Sequence, residues 1–186
     1  MCIRDSIHTG LLLTLLLYLY PSICFAQTTK PLLGIVAEDQ LVNEWNTTIF
    51  PDGSGLPVGS GTAIEGAKLY QLQCLSCHGP NGQGAIAEEL AGGTGTLSDQ
   101  YPDKTIGLYW PYATTIFDVI RRSMPLQAPG SLSDNETYSL TAYLLAINDL
   151  IDGDFTINAE TLPSVVMPNR YGFKSIDVDY VPENTD

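Results

Sequence analysis

The sequence predicts an all-α domain, and three observations support that fold class. Two stretches, beginning at Thr62 and Ser133, open with the Thr/Ser-x-x-Glu spacing of a helix capping box. Apolar residues then recur three and four positions apart, as they do along one face of a helix. No stretch alternates between polar and apolar residues as a half-buried β-strand would. With 186 residues, 44% of them hydrophobic, the chain can form one packed domain with some extra length.

The first predicted helix begins after Thr62 and runs to about Gln73. Thr62 is the expected N-cap, and Glu65 stands three residues later, where it can close the capping box. The apolar members that we expect on this helix are Ile64, Ala67, Leu69 and Tyr70. Residues 85–108 show no strong period, so we expect mostly loop there, with one short helical piece.

The second predicted helix begins at Trp110-Pro111-Tyr112, because proline is favoured at the first helical position. It continues to Arg121 and Arg122 and ends at Ser123-Met124-Pro125. The last long helix begins at Ser133, where Glu136 completes a second capping box. Its apolar members are Tyr138, Leu140, Tyr143, Leu144 and Ile147.

Residues 1–26 have the pattern of a secretory signal peptide. Arg4 precedes an apolar run over residues 11–20, and Cys24-Phe25-Ala26 offers a cleavage site before Gln27. A retained membrane anchor is the alternative, but spanning a bilayer needs roughly 20 apolar residues. We therefore expect an exported, periplasmic protein with no membrane span after cleavage. The mature chain keeps two cysteines and one histidine, which are Cys74, Cys77 and His78.

The formal charge of −13 restricts the possible partners of the chain. Such an acidic protein repels phosphate, so nucleic acid and anionic membrane surfaces are poor partners. A basic face on a protein partner would instead be attracted.

Cys74-Leu75-Ser76-Cys77-His78 matches the attachment motif of a covalent c-type haem. Positions i, i+3 and i+4 share one face of a helix, so both thiols can reach the vinyl groups on one porphyrin edge. His78 then supplies an axial nitrogen to the iron. We therefore expect one covalently bound haem c, held by Cys74, Cys77 and His78.

Three other uses of the motif compete with this interpretation. A structural zinc site needs four ligands, whereas the mature chain offers three adjacent Cys and His residues. A Cys-x-x-Cys redox pair normally lies at a helix start in a βαβ context. A disulfide between Cys74 and Cys77 would close a very short loop and stabilise the fold little.

The iron needs a sixth ligand, and the mature chain has two methionines, Met124 and Met167. Met124 is the preferred candidate, because a rigid Met-Pro loop between two helices would present its sulfur. Met167 and an open iron site are the alternatives. Arg121 and Arg122 can stabilise a helix end or pair with haem propionates, and Trp110 is a further candidate haem contact.

These residues, in this order, resemble a class I cytochrome c, with a haem domain over 62–151. Three segments carry a narrower resemblance to the cytochrome subunits of sulfite dehydrogenases and SoxD-type sulfane dehydrogenases, and three further stretches extend it. The segments are 109–118, 121–125 and 141–145, and the stretches are Pro51–Pro57, Leu162-Pro163 and Met167–Arg170. The N-terminal arm, 27–61, and the C-terminal arm, 152–186, flank a haem domain that is already complete, and we expect them to lie extended on a partner or on that domain.

The resemblance implies an electron-accepting subunit beside a molybdenum-cofactor subunit that oxidises a sulfur compound and passes electrons on to a cytochrome or oxidase. The chain departs from that family in two ways. It has one haem motif where several relatives have two, and Glu88-Glu89 stand where a proline often precedes the Leu-Ala-Gly stretch. A backbone carbonyl from a non-proline residue can still orient His78. A freely diffusing carrier and a haem sensor or enzyme with an open iron remain alternatives, so whether the chain takes part in an enzyme stays open.

Overall fold

The computed structural model describes residues 34–174, so the predicted signal peptide lies outside the described residues. The helices are α1 (Asp39–Trp45), α2 (Ala63–Gln73), α3 (Leu75–His78), α4 (Ile106–Tyr109), α5 (Ala113–Ser123) and α6 (Asp134–Ala146). Two short strands, β1 (Ser60–Thr62) and β2 (Thr156–Asn158), and two 3₁₀ turns, Pro80–Gly82 and Leu162–Ser164, complete the fold. Within 34–174, no helix is long and apolar enough to cross a membrane.

Both predicted capping boxes are present, and they fix the starts of α2 and α6. The Thr62 hydroxyl accepts from the Glu65 N–H at 3.4 Å, and the Glu65 carboxylate accepts from the Thr62 N–H at 3.2 Å. Ser133 and Glu136 make the same pair at 3.3 and 2.8 Å. Hydrogen bonds from the Ser133 side chain and backbone lower the pKa of Glu136. The helix starts are therefore set by local chemistry that the sequence displays.

Helices α2 and α6 cross at Gly66, where the two backbones approach closely. A methyl group at Gly66 would overlap the Ser139 carbonyl and lie 2.7 Å from the Tyr143 Cβ. One turn further along, the rings of Tyr70 and Tyr143 lie 4.9 Å apart. The crossing buries positions 63, 66 and 70 of α2, so Ile64, which the pattern placed on the apolar face, points away and is 62% exposed.

Helix α5 begins at Ala113, so the prediction that Pro111 opens it is wrong. Tyr112 has an extended backbone with φ −137° and ψ 132°, and it forms the N-cap without a side-chain hydrogen bond. The C-terminal arm holds this stretch, because Asn169 Nδ2 donates to the Tyr109 carbonyl at 2.6 Å. Arg170 also lies over the Tyr112 ring at 4.8 Å. These long-range contacts are not visible in the local sequence.

The all-α prediction is confirmed for the body of the domain, and a two-stranded antiparallel sheet is added to it. In that sheet, β1 pairs with β2 from the C-terminal arm, with Gly61 opposite Ile157. Both arms also contribute side chains to the hydrophobic core, namely Ile49, Ile157, Leu162, Val165 and Met167. The arms thus lie partly on the helical domain, one of the two placements expected for them. The N-terminal arm is not wholly extended, because Asp39–Trp45 is helical.

The N-terminal arm is joined to α5 through Asp118, a buried acid that is 6% exposed. Asp118 accepts from the Ile49 N–H at 3.2 Å and from Arg122 Nε at 3.0 Å. We expect Asp118→Ala to lower the free energy of unfolding by about 1–3 kcal/mol, because the Ile49 N–H loses its acceptor. Asp118→Asn retains an acceptor oxygen, so its free energy of unfolding, measured with guanidinium, should fall less. Equal losses in the two variants would contradict this role for Asp118.

Candidate haem site

The Cys74–His78 motif folds as one tight turn at the end of α2. Cys74 is the C-cap of α2, and its carbonyl accepts from the N–H groups of Cys77 and His78 at 3.1 and 2.9 Å. Since α3 starts at once, with Leu75, both thiols and the imidazole are brought to one cavity. The geometry expected from the i, i+3, i+4 spacing is therefore present in the backbone.

The cavity has a volume of about 280 Å³ and mostly apolar walls. Tyr70 from α2, Ile120 from α5, and Leu140 and Leu144 from α6 line it beside the motif. The helix patterns in the sequence indicated that Tyr70, Leu140 and Leu144 are apolar helix residues, but not that they line a cavity. Ile86 and Leu126, which also line the cavity, are 88% and 75% exposed. Their loops have no periodic pattern that could have assigned them to the cavity.

His78 is oriented by a backbone carbonyl, as expected for an axial ligand. Its Nδ1 lies 3.3 Å from the Glu88 carbonyl oxygen, so Nδ1 can donate there while Nε2 remains available to a metal. The expectation that a non-proline residue can supply this carbonyl is confirmed. Glu88 escaped identification as a site residue because its contribution is from the main chain, which no side-chain motif reports.

The turn after His78 depends on glycine. Gly79 has φ +72°, and a Cβ there would overlap the Gly84 carbonyl. The Gly84 N–H donates to the His78 carbonyl at 2.8 Å, and the Tyr70 hydroxyl donates to the Gly79 carbonyl at 2.9 Å. These contacts close the loop that carries Glu88 back over His78.

The environment of the Cys74 thiol disfavours the thiolate form. Burial, and to a lesser extent the neighbouring Cys77, raises the pKa of Cys74 to about 11. Redox-active cysteines have a lowered pKa, because the thiolate is the reacting form. The direction of this shift argues against a Cys-x-x-Cys redox pair. The two sulfurs are not bonded to each other.

The two candidate methionines lie in different environments. Met124 follows α5 directly, donates its N–H to the Ile120 carbonyl at 3.0 Å, and lines the cavity beside His78. Met167 is 1% exposed within the hydrophobic core and is not among the cavity-lining residues. The imidazole and the Met124 thioether therefore meet at one cavity from elements distant in sequence.

The three other predicted haem contacts lie outside the cavity walls. Arg121 Nε lies 3.4 Å from Asp134, and Arg122 forms an ion pair with Asp118 one turn earlier in α5. Trp110 is half-buried and packs against the hydrophobic core. Contact between these side chains and the haem stays a prediction.

These residues fit a covalent haem c. Two thiols, an imidazole and a thioether share one cavity, and none of the residues within 34–174 that line it is Asp, Glu, Lys or Arg. A structural zinc ion would need four Cys, His or acidic ligands, and within residues 34–174 no three such side chains are arranged so that they could hold a metal ion.

Comparison with known proteins agrees with this chemistry. The family model for cytochrome c matches residues 63–148. Two thiosulfate dehydrogenases are similar: that of Stutzerimonas stutzeri is 30% identical over 112 residues, 54% of this chain and 35% of that protein. That of Allochromatium vinosum is 31% identical over 84 residues, 44% of this chain and 30% of that protein. The chain thus spans about a third of the length of these relatives.

A solved structure covers more of the chain. A chain in the crystal structure of the sulfane dehydrogenase SoxCD from Paracoccus pantotrophus is 42% identical and superposes with a TM-score of 0.73. The match covers 83% of this chain and 76% of that one. Together with the attachment motif and its cavity, these matches show that the protein belongs to the cytochrome c family and carries a covalent haem c.

Proposed function

We propose that this cytochrome is a periplasmic monohaem acceptor subunit for a molybdenum-dependent dehydrogenase of a sulfur compound such as sulfite or sulfane sulfur. Cys74 and Cys77 would hold the haem covalently, and His78 and Met124 would ligate its iron. When bound, the haem supplies a one-electron iron couple. The observation that carries the proposal is that the His78 imidazole and the Met124 thioether line the same apolar cavity.

The protein's own residues make this site suited to electron transfer and unsuited to substrate binding. With His78 and Met124 both bound to the iron, no coordination site would remain open to a sulfur compound. A thioether ligand and apolar walls both favour the reduced iron and so raise its potential. Sulfur oxidation would therefore take place in another chain, and this chain would pass the electrons on to a further cytochrome or oxidase.

The choice of sulfur chemistry is supported by the similarity to the SoxCD chain and to two thiosulfate dehydrogenases. Periplasmic location is supported by the signal-peptide pattern of residues 1–26. A molybdenum partner is supported by the segments that resemble the cytochrome subunits of sulfite and sulfane dehydrogenases.

Isolation of the chain from its native host tests this proposal directly. We expect a haem-containing complex with a fixed ratio of molybdenum to iron, measured by elemental analysis of the purified fraction. Addition of sulfite or thiosulfate should then reduce the haem, which is followed by its visible absorption. A pigmented chain that purifies without molybdenum, and that neither compound reduces, would contradict the proposal.

A freely diffusing carrier is the second candidate. The burial of Ile49, Leu162 and Val165 in the chain's own core favours it, because those arm residues need no partner to cover them. A monomeric, molybdenum-free cytochrome that exchanges electrons with several donors would be the expected outcome in that case.

A further inference from the structure

The C-terminal hook, which we define as residues 166–174, is fixed against the residues that precede α5. Met167 anchors it in the core with 1% exposure. Asn169 Nδ2 donates to the Tyr109 carbonyl, and the Phe173 ring meets the Tyr109 ring edge-on at 5.2 Å. Because the backbone is held at several points, the remaining side chains of the hook are displayed from a fixed surface. Such preorganisation lowers the entropic cost of binding a partner.

The hook displays large apolar side chains that the domain covers only in part. Val166 is 77% exposed, Tyr171 90% and Phe173 54%. These three side chains lie within nine residues of the chain, and clustered apolar exposure of this kind is a feature of interaction surfaces. Aromatic side chains are also enriched in the residues that contribute most to protein–protein affinity.

The charged residues of the hook and of the stretch on which it packs, 104–117, are all basic. The described residues include six Lys and Arg, and two of them, Arg121 and Arg122, are paired with acids. Lys104 and Arg170 instead lie over the Tyr109 and Tyr112 rings, at 5.6 and 4.8 Å. Neither 104–117 nor 161–174 contains an acidic residue, in a chain with a formal charge of −13.

We propose that the hook is the docking site for the catalytic subunit, through a face on which carboxylates surround an apolar recess. The recess would cover Val166, Tyr171 and Phe173, and the carboxylates would pair with Arg170 and Lys174. This inference rests on the proposed function, which requires such a subunit. None of the hook residues lines the haem cavity, so docking there leaves the cavity walls unaltered.

Variants of the native complex test the docking site. A Val166→Ser/Tyr171→Ser variant and a Lys174→Glu variant change exposed side chains, so the near-infrared and circular dichroism spectra of the haem domain should stay unchanged. We expect each to lower the affinity for the molybdenum-containing subunit at least tenfold, measured by titration of separated subunits. The matched control, Val58→Ser/Ile64→Ser, removes two apolar side chains that are 98% and 62% exposed elsewhere, and should bind as the unaltered chain does.

The possible outcomes distinguish a failure of the hook proposal from a failure of the proposed function on which it rests. If the unaltered chain carries no molybdenum subunit, the proposed function fails, and the hook proposal fails with it. If the unaltered chain forms the complex and the hook variants bind equally well, only the hook proposal is overturned. Loss of self-association in the hook variants, with unchanged binding to the catalytic subunit, would assign the surface to a second copy and also overturn it.

Discussion

A Met124→Ala variant is expected to lose the near-infrared absorption band that reports a sulfur–iron bond, while the haem stays covalently attached. Met124 lines the cavity beside His78, and alanine at that position offers the iron no donor. The reduced variant should bind carbon monoxide without denaturant, since one axial position would become open. The reduction potential should fall by on the order of 0.1 V, within the roughly 0.8 V over which axial ligands tune haem iron.

Met167→Leu is the matched control for this experiment. It removes the other methionine sulfur of residues 34–174 with little change in volume, at a core position that is 1% exposed. We expect its near-infrared band and potential to match those of the unaltered protein. A band that persists in Met124→Ala and disappears in Met167→Leu would transfer the ligand role to Met167. Carbon monoxide binding by the unaltered reduced protein would instead favour a sensor or enzyme with an open iron.

The parts of the fold that could be predicted from sequence are those determined by local chemistry. The starts of α2 and α6 follow from side chains that bond to backbone groups three residues away, so Thr62 and Ser133 identify them without tertiary information. The attachment motif is equally local, because its three side chains lie within a single turn.

The parts that could not be predicted depend on contacts between distant segments. The strand at Thr156–Asn158 exists because it pairs with β1, and three residues alone carry no usable alternation. Helix α5 starts late because Asn169 and Arg170 hold the preceding stretch extended. The role of Glu88 at the site is also non-local in this sense, since any residue with a carbonyl at that point could orient His78.

The second large effect is expected at Gly66, where the helix that carries Cys74 crosses α6. Gly66→Ala gains about 1 kcal/mol of helix propensity, but its methyl group would overlap the Ser139 carbonyl. Backbone atoms cannot move aside as a flexible side chain can, so the helices must separate. Overpacking of this kind typically costs about 1–3 kcal/mol, and occasionally more. We therefore expect a net loss of stability for alanine and a larger loss for valine.

Guanidinium unfolding of the haem-loaded protein measures the loss of stability. The near-infrared spectrum reports whether the substitution also disturbs the haem site. Because α2 ends at Cys74, separation of the helices should also displace one haem attachment and weaken the near-infrared band in Gly66→Val. Gly153→Ala is the control, since a methyl group there meets nothing within 4 Å, and its stability should change by less than about 0.5 kcal/mol. If Gly66→Ala proved as stable as Gly153→Ala, α2 and α6 would be able to accommodate a side chain at their crossing. Close packing at Gly66 would then not be what positions Cys74.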